Sequence, residues 1–328
     1  MTRLMPADGP QLGVVVPLFD EAETVGETYR RLVAVLGELP LSFEILFVND
    51  GSRDRTGEFL DFFAERDARV RVLHLSRNFG HQAAVSAGLE HVRGDAIVVM
   101  DGDLQDPPEV IPEFLERWRE GFDVAYAIRT KRKEGRLKRA GYFLFYRLLR
   151  SIADLEIPLD SGDFCLMDRR VVDALTALPE RERFVRGLRT FVGFRQIGVT
   201  YERAARKMGL SKYTLPRLVG LALDGIVNFS SLPLKAIAVV GFVVVLLGLM
   251  LAVGMLGHAL VQGEVPSGWL IVLASLIVVG GAQLLGLGLV GEYVRRIYVE
   301  VKHRPTYIVS DVRPMKDDMP ITRVKRAG

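Results

Sequence analysis

Residues 95–108 read DAIVVMDGDLQDPP, and this segment decides how the first half of the chain is interpreted. Asp95–Met100 is a short apolar run with β-branched residues, which is typical of a buried strand, and it stops at Asp101. The next predicted helix, Pro107–Glu120, has its prolines at the start, where a missing backbone N–H costs little. A buried strand, an acidic turn and a helix therefore follow one another.

The same alternation continues on both sides of this segment. We predict strands at Leu12–Leu18, Phe43–Val48, Val70–Leu75, Asp95–Met100 and Phe122–Ile128, and helices at Ala22–Leu36, Thr56–Arg66, Gln82–Val92 and Pro107–Glu120. Strands that alternate with helices at this spacing predict an α/β domain with a doubly wound, mostly parallel sheet. Such sheets bind ligands at the carboxyl ends of their strands, where Asp20, Asp50 and Asp101 fall.

The acidic turn suits a metal-bound diphosphate. Asp101 and Asp103 are separated by one residue, and Mg²⁺ or Mn²⁺ takes one or two carboxylates together with diphosphate oxygens. Such an ion would offset the charge on a departing nucleoside diphosphate, and Gly102 would let the backbone approach the ligand. The sequence has no Gly-x-x-x-x-Gly-Lys stretch and no Gly-x-Gly-x-x-Gly after the first strand, which argues against ATP hydrolysis and dinucleotide redox chemistry.

Composition indicates a membrane segment late in the chain. The 328 residues are 49% hydrophobic, and the apolar excess gathers after Leu232. Basic clusters at Arg129–Arg150 and Arg295–Arg304 suit an anionic membrane surface better than nucleic acid, although a solvated basic face is the alternative. The single cysteine, Cys165, excludes an intramolecular disulfide. Residues 1–11 have no apolar core, so we expect no secretory signal and a cytoplasmic first domain.

Two uncharged stretches predict a transmembrane helical hairpin. Ala236–Gly257 and Val265–Gly291 are each long enough for a bilayer core that needs about 20 apolar residues, and two buried core helices are the alternative. Lys235 precedes the first stretch and basic residues follow the second, whereas the intervening Leu260–Ser267 has no Lys or Arg. The positive-inside rule then places both chain ends in the cytoplasm.

The sequence therefore predicts four parts. They are a cytoplasmic catalytic domain at 1–213, a juxtamembrane interfacial helix at 214–234, a hairpin at 235–292 with spans at about 236–260 and 266–291, and a cytoplasmic tail at 293–328. Within the first part, Arg136–Ala153 mixes arginines with aromatic residues and leucines at helical spacing. It predicts an amphipathic helix, either packed on the domain or lying on lipid.

Several motifs stand in the order found in family 2 glycosyltransferases. They are Pro17-Leu18-Phe19-Asp20-Glu21, Val48-Asn49-Asp50-Gly51-Ser52, Ser76-Arg77-Asn78-Phe79-Gly80 and Asp101–Pro108. Ser161–Arg169, Arg206–Tyr213 and Gly291-Glu292-Tyr293 narrow the match. With these motifs, from about residue 12 to 308, the chain resembles the polyprenyl-phosphate glycosyltransferases, which include relatives of dolichol-phosphate mannose synthase and bactoprenol glucosyltransferases with two membrane spans.

The resemblance implies a fold, a reaction and partners. It implies a GT-A type domain at the cytoplasmic face of the inner membrane, which transfers a hexose with inversion from a nucleotide-sugar to undecaprenyl or dolichyl phosphate for cell-envelope glycan modification. UDP-glucose is the first choice of donor, while GDP-mannose and other UDP-sugars stay open. Relatives also imply a homo-oligomer, and no nucleic acid is expected as a partner.

The resemblance also implies the roles of individual residues. The implied contacts are Pro17, Phe19, Glu21 and Asp50 for the nucleoside; Asp101, Gly102, Asp103 and Gln105 for the diphosphate and metal; Arg129 for the donor; Asp163 for the sugar and acceptor; and Arg206 and Lys212 for donor or lipid phosphate. Asp103 is implied to be the firmest metal ligand. We expect Asp163 to orient or stabilise rather than to deprotonate, because a polyprenyl phosphate is already an anion.

Four positions depart from the usual pattern of the family. Asp20 stands where asparagine is common, Asn49 replaces the first of two aspartates, Phe191 replaces a tryptophan and Cys165 replaces an arginine. None of them is an implied metal ligand, but they leave the base and the sugar open. A processive polysaccharide synthase is disfavoured because the chain has no Gln-x-x-Arg-Trp element and too few spans. A non-enzymatic scaffold is disfavoured by the intact acidic and basic residues.

Overall fold

The computed structural model describes residues 9–129, 161–181, 183–201 and 268–313, and a few single positions between 241 and 254. These residues fall into two units. The first unit contains the described residues up to 201 together with 304–313, and the second contains those from 241 to 303.

The first unit is built on an eight-stranded sheet in the order β7-β5-β6-β4-β1-β2-β3-β8. Its strands are β1 Leu12–Leu18, β2 Phe43–Asn49, β3 Val70–Leu75, β4 Ala96–Val99, β5 Val124–Arg129, β6 Ser161–Asp168, β7 Gln196–Tyr201 and β8 Val309–Arg313. Its helices are α1 Val25–Gly37, α2 Thr56–Arg66, α3 His81–His91, α4 Ile111–Arg119 after a 3₁₀ turn at Pro108–Val110, α5 Arg169–Thr176 and α6 Val185–Phe191. All five predicted strands and all four predicted helices are present.

The sheet is mixed rather than uniformly parallel. Strands β1, β2, β3 and β4 pair in parallel, and so do β5 and β7, which confirms the mostly parallel prediction. However, β6 runs antiparallel between β4 and β5, and β8 runs antiparallel on β3 at the edge. Neither antiparallel strand was predicted. The β8 sequence, Val-Ser-Asp-Val-Arg, is too short and polar to indicate a strand, and it becomes one because the edge of β3 offers free backbone partners.

Both faces of the sheet are covered, which explains why β1 is buried along its whole length. Val14 and Val16 belong to the hydrophobic cluster on the face of α1, α2 and α4, and Val15 belongs to the cluster on the face of α3, α5 and α6. Helix α3 approaches β1 closely, since a Cβ on Gly88 would lie 2.2 Å from Val15 Cγ1. This packing fixes the N-terminus of α3 at the carboxyl edge of the parallel strands.

The C-terminal segment returns to the first unit. Besides the pairing of β8 with β3, Ser76 N donates to Ile308 O at 2.8 Å, and Tyr307 Oη donates to Glu90 Oε2 at 2.5 Å. The sequence assigned this segment to a tail beyond the hairpin. In the structure residues 304–313 complete the sheet, so the α/β domain is discontinuous along the chain.

The second unit contains the 33-residue helix α7, Trp269–Val301, which covers most of the second predicted span. Within the described residues, no helix combines the length and the apolar character needed to cross a membrane, so the predicted hairpin is not supported there. The first span at 236–260, apart from single positions, lies outside the described residues. The predicted helices at 136–153 and 214–234 lie outside them entirely.

A buried ion pair between β2 and β3, beside the end of α3, is expected to stabilise the fold. Arg71 Nη1 on β3 lies 2.9 Å from both carboxylate oxygens of Glu44 on β2, and both side chains are less than a tenth exposed. Glu44→Ala would leave Arg71 charged and buried, so we expect the free energy of unfolding to fall by about 3 kcal/mol. Denaturant unfolding of the full-length protein measures this.

The matched control for this prediction is Glu58→Ala. Glu58 pairs with Arg55 at 2.9 Å on the surface of α2, where the side chains of Arg55 and Glu58 are 72% and 70% exposed. Exposed pairs contribute less than about 1 kcal/mol, so this variant should unfold close to wild type. Equal losses in the two variants would contradict the prediction.

Candidate functional site

The loops that follow β1 and β2 are joined at the carboxyl edge of the sheet. Asp20 Oδ1 accepts a hydrogen bond from Arg53 N at 2.7 Å, and Asp20 N donates to Ser52 Oγ at 3.1 Å. Glu21 N donates to Thr56 Oγ1 at 2.9 Å. Asp20 has a φ of 52°, a left-handed conformation that aspartate and asparagine tolerate better than most residues. The acidic residue at position 20 therefore shapes the loop.

Three of the four predicted nucleoside contacts lie at or next to the end of β1. Pro17 is buried in the strand opposite Val48, while Phe19 and Glu21 are partly exposed just beyond it. Glu21 Oε2 accepts a hydrogen bond from Thr24 Oγ1 at 2.8 Å. Their roles toward a nucleoside stay predictions.

Asp50, the fourth predicted nucleoside contact, holds the loop before α3. Its two carboxylate oxygens accept backbone hydrogen bonds from Phe79 N at 2.7 Å and Gly80 N at 2.9 Å. Gly80 has a φ of 100°, a conformation that favours glycine. Burial raises the pKa of Asp50, while these hydrogen bonds act in the opposite direction. The side chain thereby fixes the position of His81, the first residue of α3.

The acidic turn after β4 is strained and close-packed. Asp103 Oδ1 accepts a hydrogen bond from Gln105 N at 3.1 Å, and Leu104 between them has a φ of 62°, which is unusual for a leucine. A Cβ on Gly102 would lie 2.2 Å from Leu18 Cδ2. The glycine is thus required by packing against β1, a reason that the sequence analysis did not foresee.

Asp163 on β6 is surrounded by donors from two helices. Its Oδ2 lies 3.2 Å from His81 Nε2 and 3.4 Å from Gln82 Nε2 at the start of α3, and its Oδ1 lies 3.3 Å from Arg186 Nη2 on α6. His81 Nε2 is also 3.6 Å from Asp101 Oδ1. The imidazole thereby connects the acidic turn to Asp163, and β6 brings two distant predicted site residues into one cluster.

Comparison with known sequences identifies the family. The sequence profile described as Glycosyl transferase family 2 matches residues 13–176. The chain belongs to glycosyl transferase family 2.

Proteins named as glycosyltransferases match nearly the whole chain. It is 45% identical to the uncharacterized glycosyltransferase YkcC of Bacillus subtilis (strain 168), over 91% of this chain and 93% of YkcC. It is 40% identical to the bactoprenol glucosyl transferase of Shigella phage SfV, over 92% of this chain and 98% of the phage protein. It is 38% identical to the prophage bactoprenol glucosyl transferase homolog of Escherichia coli (strain K12), over 92% and 99%. The α/β domain is accordingly that of a family 2 glycosyltransferase.

In the candidate site, Asp163 and His81 carry opposite charges. Burial opposes ionisation of Asp163, but its hydrogen bond with His81 and the charges of Arg186, His81 and Arg189 hold its pKa well below the usual range. Burial also disfavours the charged form of His81, yet the hydrogen bond to Asp163 and the charges of Asp101 and Asp163 raise its pKa to about 9. At neutral pH the cluster therefore contains a carboxylate and an imidazolium.

Asp101 fits a cation ligand. Its Oδ1 is buried and accepts no hydrogen bond from the described residues, although His81 Nε2 lies 3.6 Å away. Burial, opposed by the charge of His81 and reinforced by the carboxylates of Asp106, Asp163 and Asp103, raises its pKa to about 6. A cation next to Asp101 would satisfy that oxygen and reverse the shift. In the described residues, no three His, Cys, Asp or Glu side chains form a metal-binding group by themselves.

Of the three remaining predicted site residues, the structure describes one. Arg129 is the last residue of β5 rather than the first beyond it. Arg206 and Lys212 lie outside the described residues. Sequence reasoning missed the cationic partners of Asp163, which are His81 and Arg186. The one available signal was the position of His81, directly after the Ser76–Gly80 motif.

Proposed function

We propose that this chain transfers a hexose, with glucose from UDP-glucose as first choice, from a nucleotide-sugar to a polyprenyl phosphate with inversion at the anomeric carbon. The observation that carries the proposal is the near full-length identity, 38% to 41%, to proteins named bactoprenol glucosyl transferase. GDP-mannose or another UDP-sugar is the alternative donor. The product would be a lipid-linked sugar for modification of cell-envelope glycans.

The site chemistry supports a transfer that needs no strong base. The acceptor phosphate is an anion at neutral pH, and Asp163 is itself held as an anion by His81 and Arg186. Asp163 therefore orients the acceptor or stabilises positive charge at the sugar instead of removing a proton. Alignment of the two substrates and stabilisation of the leaving diphosphate carry most of the rate enhancement.

Asp101 and Asp103 would hold a divalent cation, Mg²⁺ or Mn²⁺, together with the donor diphosphate. The Asp101 oxygen that is buried without a hydrogen bond among the described residues and the neighbouring carboxylate of Asp103 provide the hard oxygen ligands that such ions prefer. When bound, the ion would supply positive charge next to the leaving group. Gln105 orders this turn through its backbone N–H to Asp103.

Membrane attachment at the cytoplasmic face is part of the proposal. It is supported by the uncharged sequences 236–257 and 265–291 and by the basic residues that follow the second of them, Arg295 and Arg296. Arg206 and Lys212 would bind donor or lipid phosphate, and Arg129 would face the donor. A homo-oligomer belongs to the same expectation.

A single assay tests the proposed function. Membranes from cells that express the full chain are washed at alkaline pH to remove peripheral proteins, then supplied with Mn²⁺ and one nucleotide-sugar at a time. We expect nucleoside diphosphate release that requires undecaprenyl phosphate, and mass spectrometry should identify a hexosyl lipid. Release without lipid and with growing polysaccharide would favour a processive synthase, and no release with any donor would favour a scaffold. Activity confined to the wash would contradict membrane attachment.

A further inference from the structure

Arg189 is a charged side chain in the interior of the first unit. It lies on α6, one turn after Arg186, and only 1% of its surface is exposed. In the described part of the chain its Nε and Nη2 atoms donate no hydrogen bond. Its guanidinium lies over the ring of Tyr126 at 5.0 Å and interacts with the thiol of Cys165.

This burial is unfavourable for the fold. Arginine is rarely buried with donor atoms that make no hydrogen bond, because removing its charge from water is costly unless those donors find partners. An apolar side chain of similar length at position 189 would fill the same space beside Tyr126 and Cys165. Because packing does not require the charge of Arg189, a role in the chemistry of the site is the better reason for an arginine at this position.

The charge of Arg189 acts on the candidate site. Asp163 and Cys165 are two residues apart on β6, so their side chains leave the strand on the same side. The Arg189 guanidinium, which packs on Tyr126 opposite Cys165, therefore lies on the same face of the sheet as the Asp163 side chain, and its charge is one of those that lower the pKa of Asp163. His81 and Arg186 contact the carboxylate directly, whereas Arg189 acts on it from the interior.

We propose that Arg189 is a positioning residue for sugar transfer, and that its buried guanidinium keeps the Asp163 carboxylate in the place that the reaction uses. The inference rests on the function proposed above. Low-dielectric surroundings make this interaction stronger than it would be at the surface. Interior placement also keeps the cation away from the substrate diphosphate, with which an exposed arginine would pair.

Arg189→Met separates a positioning role from a structural one. The substitution keeps the chain length and removes the charge. We expect kcat for sugar transfer to fall about 10- to 100-fold, with the KM for the nucleotide-sugar within about twofold of wild type. The thermal unfolding temperature of the full-length protein should stay equal or rise, because an apolar side chain replaces a buried guanidinium whose Nε and Nη2 donate no hydrogen bond in the described residues.

Three controls complete the experiment. Arg189→Lys restores a charge without the planar guanidinium and should recover part of the lost kcat. Arg195→Met removes an exposed arginine from the same region and should leave kcat unchanged. In an Asp163→Asn background, Arg189→Met should change kcat less than about threefold, because the group through which it acts is gone.

The outcomes distinguish this inference from the proposed function. A wild-type kcat in Arg189→Met, a parallel fall of kcat and unfolding temperature, or an equal loss in the Asp163→Asn background would each overturn the positioning role. Absence of turnover in the wild-type protein with every donor would instead count against the proposed function itself.

Discussion

Asp103→Ala is expected to lower kcat for sugar transfer by about 10³-fold while the protein stays folded. The carboxylate lies in the turn after β4, and its hydrogen bond from Gln105 N is local to that turn. Loss of the side chain would remove a ligand of the cation that offsets charge on the leaving diphosphate. Radiolabelled hexose transfer to undecaprenyl phosphate measures the rate, and Mn²⁺ titration in the presence of UDP should show weaker binding of the ion.

The matched control for Asp103→Ala is Asp173→Ala. Asp173 is an exposed acidic residue on α5 whose nearest cation, Arg169, is 3.8 Å away. This variant changes the same side chain and should transfer sugar at the wild-type rate. Near-normal turnover of Asp103→Ala at limiting Mn²⁺ would contradict the assignment of a metal ligand.

Asp163→Asn is expected to lower kcat by 10²- to 10³-fold with a smaller change in the KM for the donor, since the substitution removes the carboxylate that His81 and Arg186 both contact and that Arg189 acts on. The three cations would then lose the carboxylate between them, and the site would lose the group that we propose faces the sugar. Steady-state kinetics across donor concentrations measure both parameters.

The pH profile distinguishes orientation from base catalysis. The pKa of Asp163 is well below its usual range, so the residue stays ionised from pH 5 to 9 and adds no limb there. Phosphate monoesters lose their second proton near pH 6, so the acceptor itself can produce a limb at about that pH. We expect that limb to persist in Asp163→Asn. A steep wild-type limb that disappears in the variant would show that Asp163 acts as a base.

The fold of the first half of the chain follows closely from local sequence patterns. Strand β1 and helix α2 begin and end at the predicted residues. The first is a short all-apolar run and the second has apolar residues at helical spacing, and these two patterns are easily distinguished. The later part was harder to predict. Strand β6 contains Asp163 and Asp168 among apolar residues, and β8 carries almost no apolar signal, so their antiparallel pairing depends on neighbours far away in the sequence.

The site residues that depend on local sequence patterns were predicted, whereas those that depend on distant contacts were not. Carboxylates at strand ends, Asp50 and Asp101, were predicted because topology alone brings those ends to one edge. The structure shows that Asp50 holds a backbone loop as well, which requires knowledge of where Phe79 and Gly80 lie. Arginines on a short helix give no functional signal in sequence, so Arg186 and Arg189 were not found.

The sequence by itself determined the alternation of strands and helices, the acidic turn at Asp101–Asp103 and membership of family 2, because each depends on residues close together in the chain or on a whole-chain pattern. Only the tertiary structure decided what surrounds Asp163. His81 is 82 positions away from it and Arg186 is 23 away, and β6 must enter the sheet antiparallel between β4 and β5 before they meet. The charge state of a carboxylate depends on its neighbours in space, and those neighbours exist only once the sheet has formed.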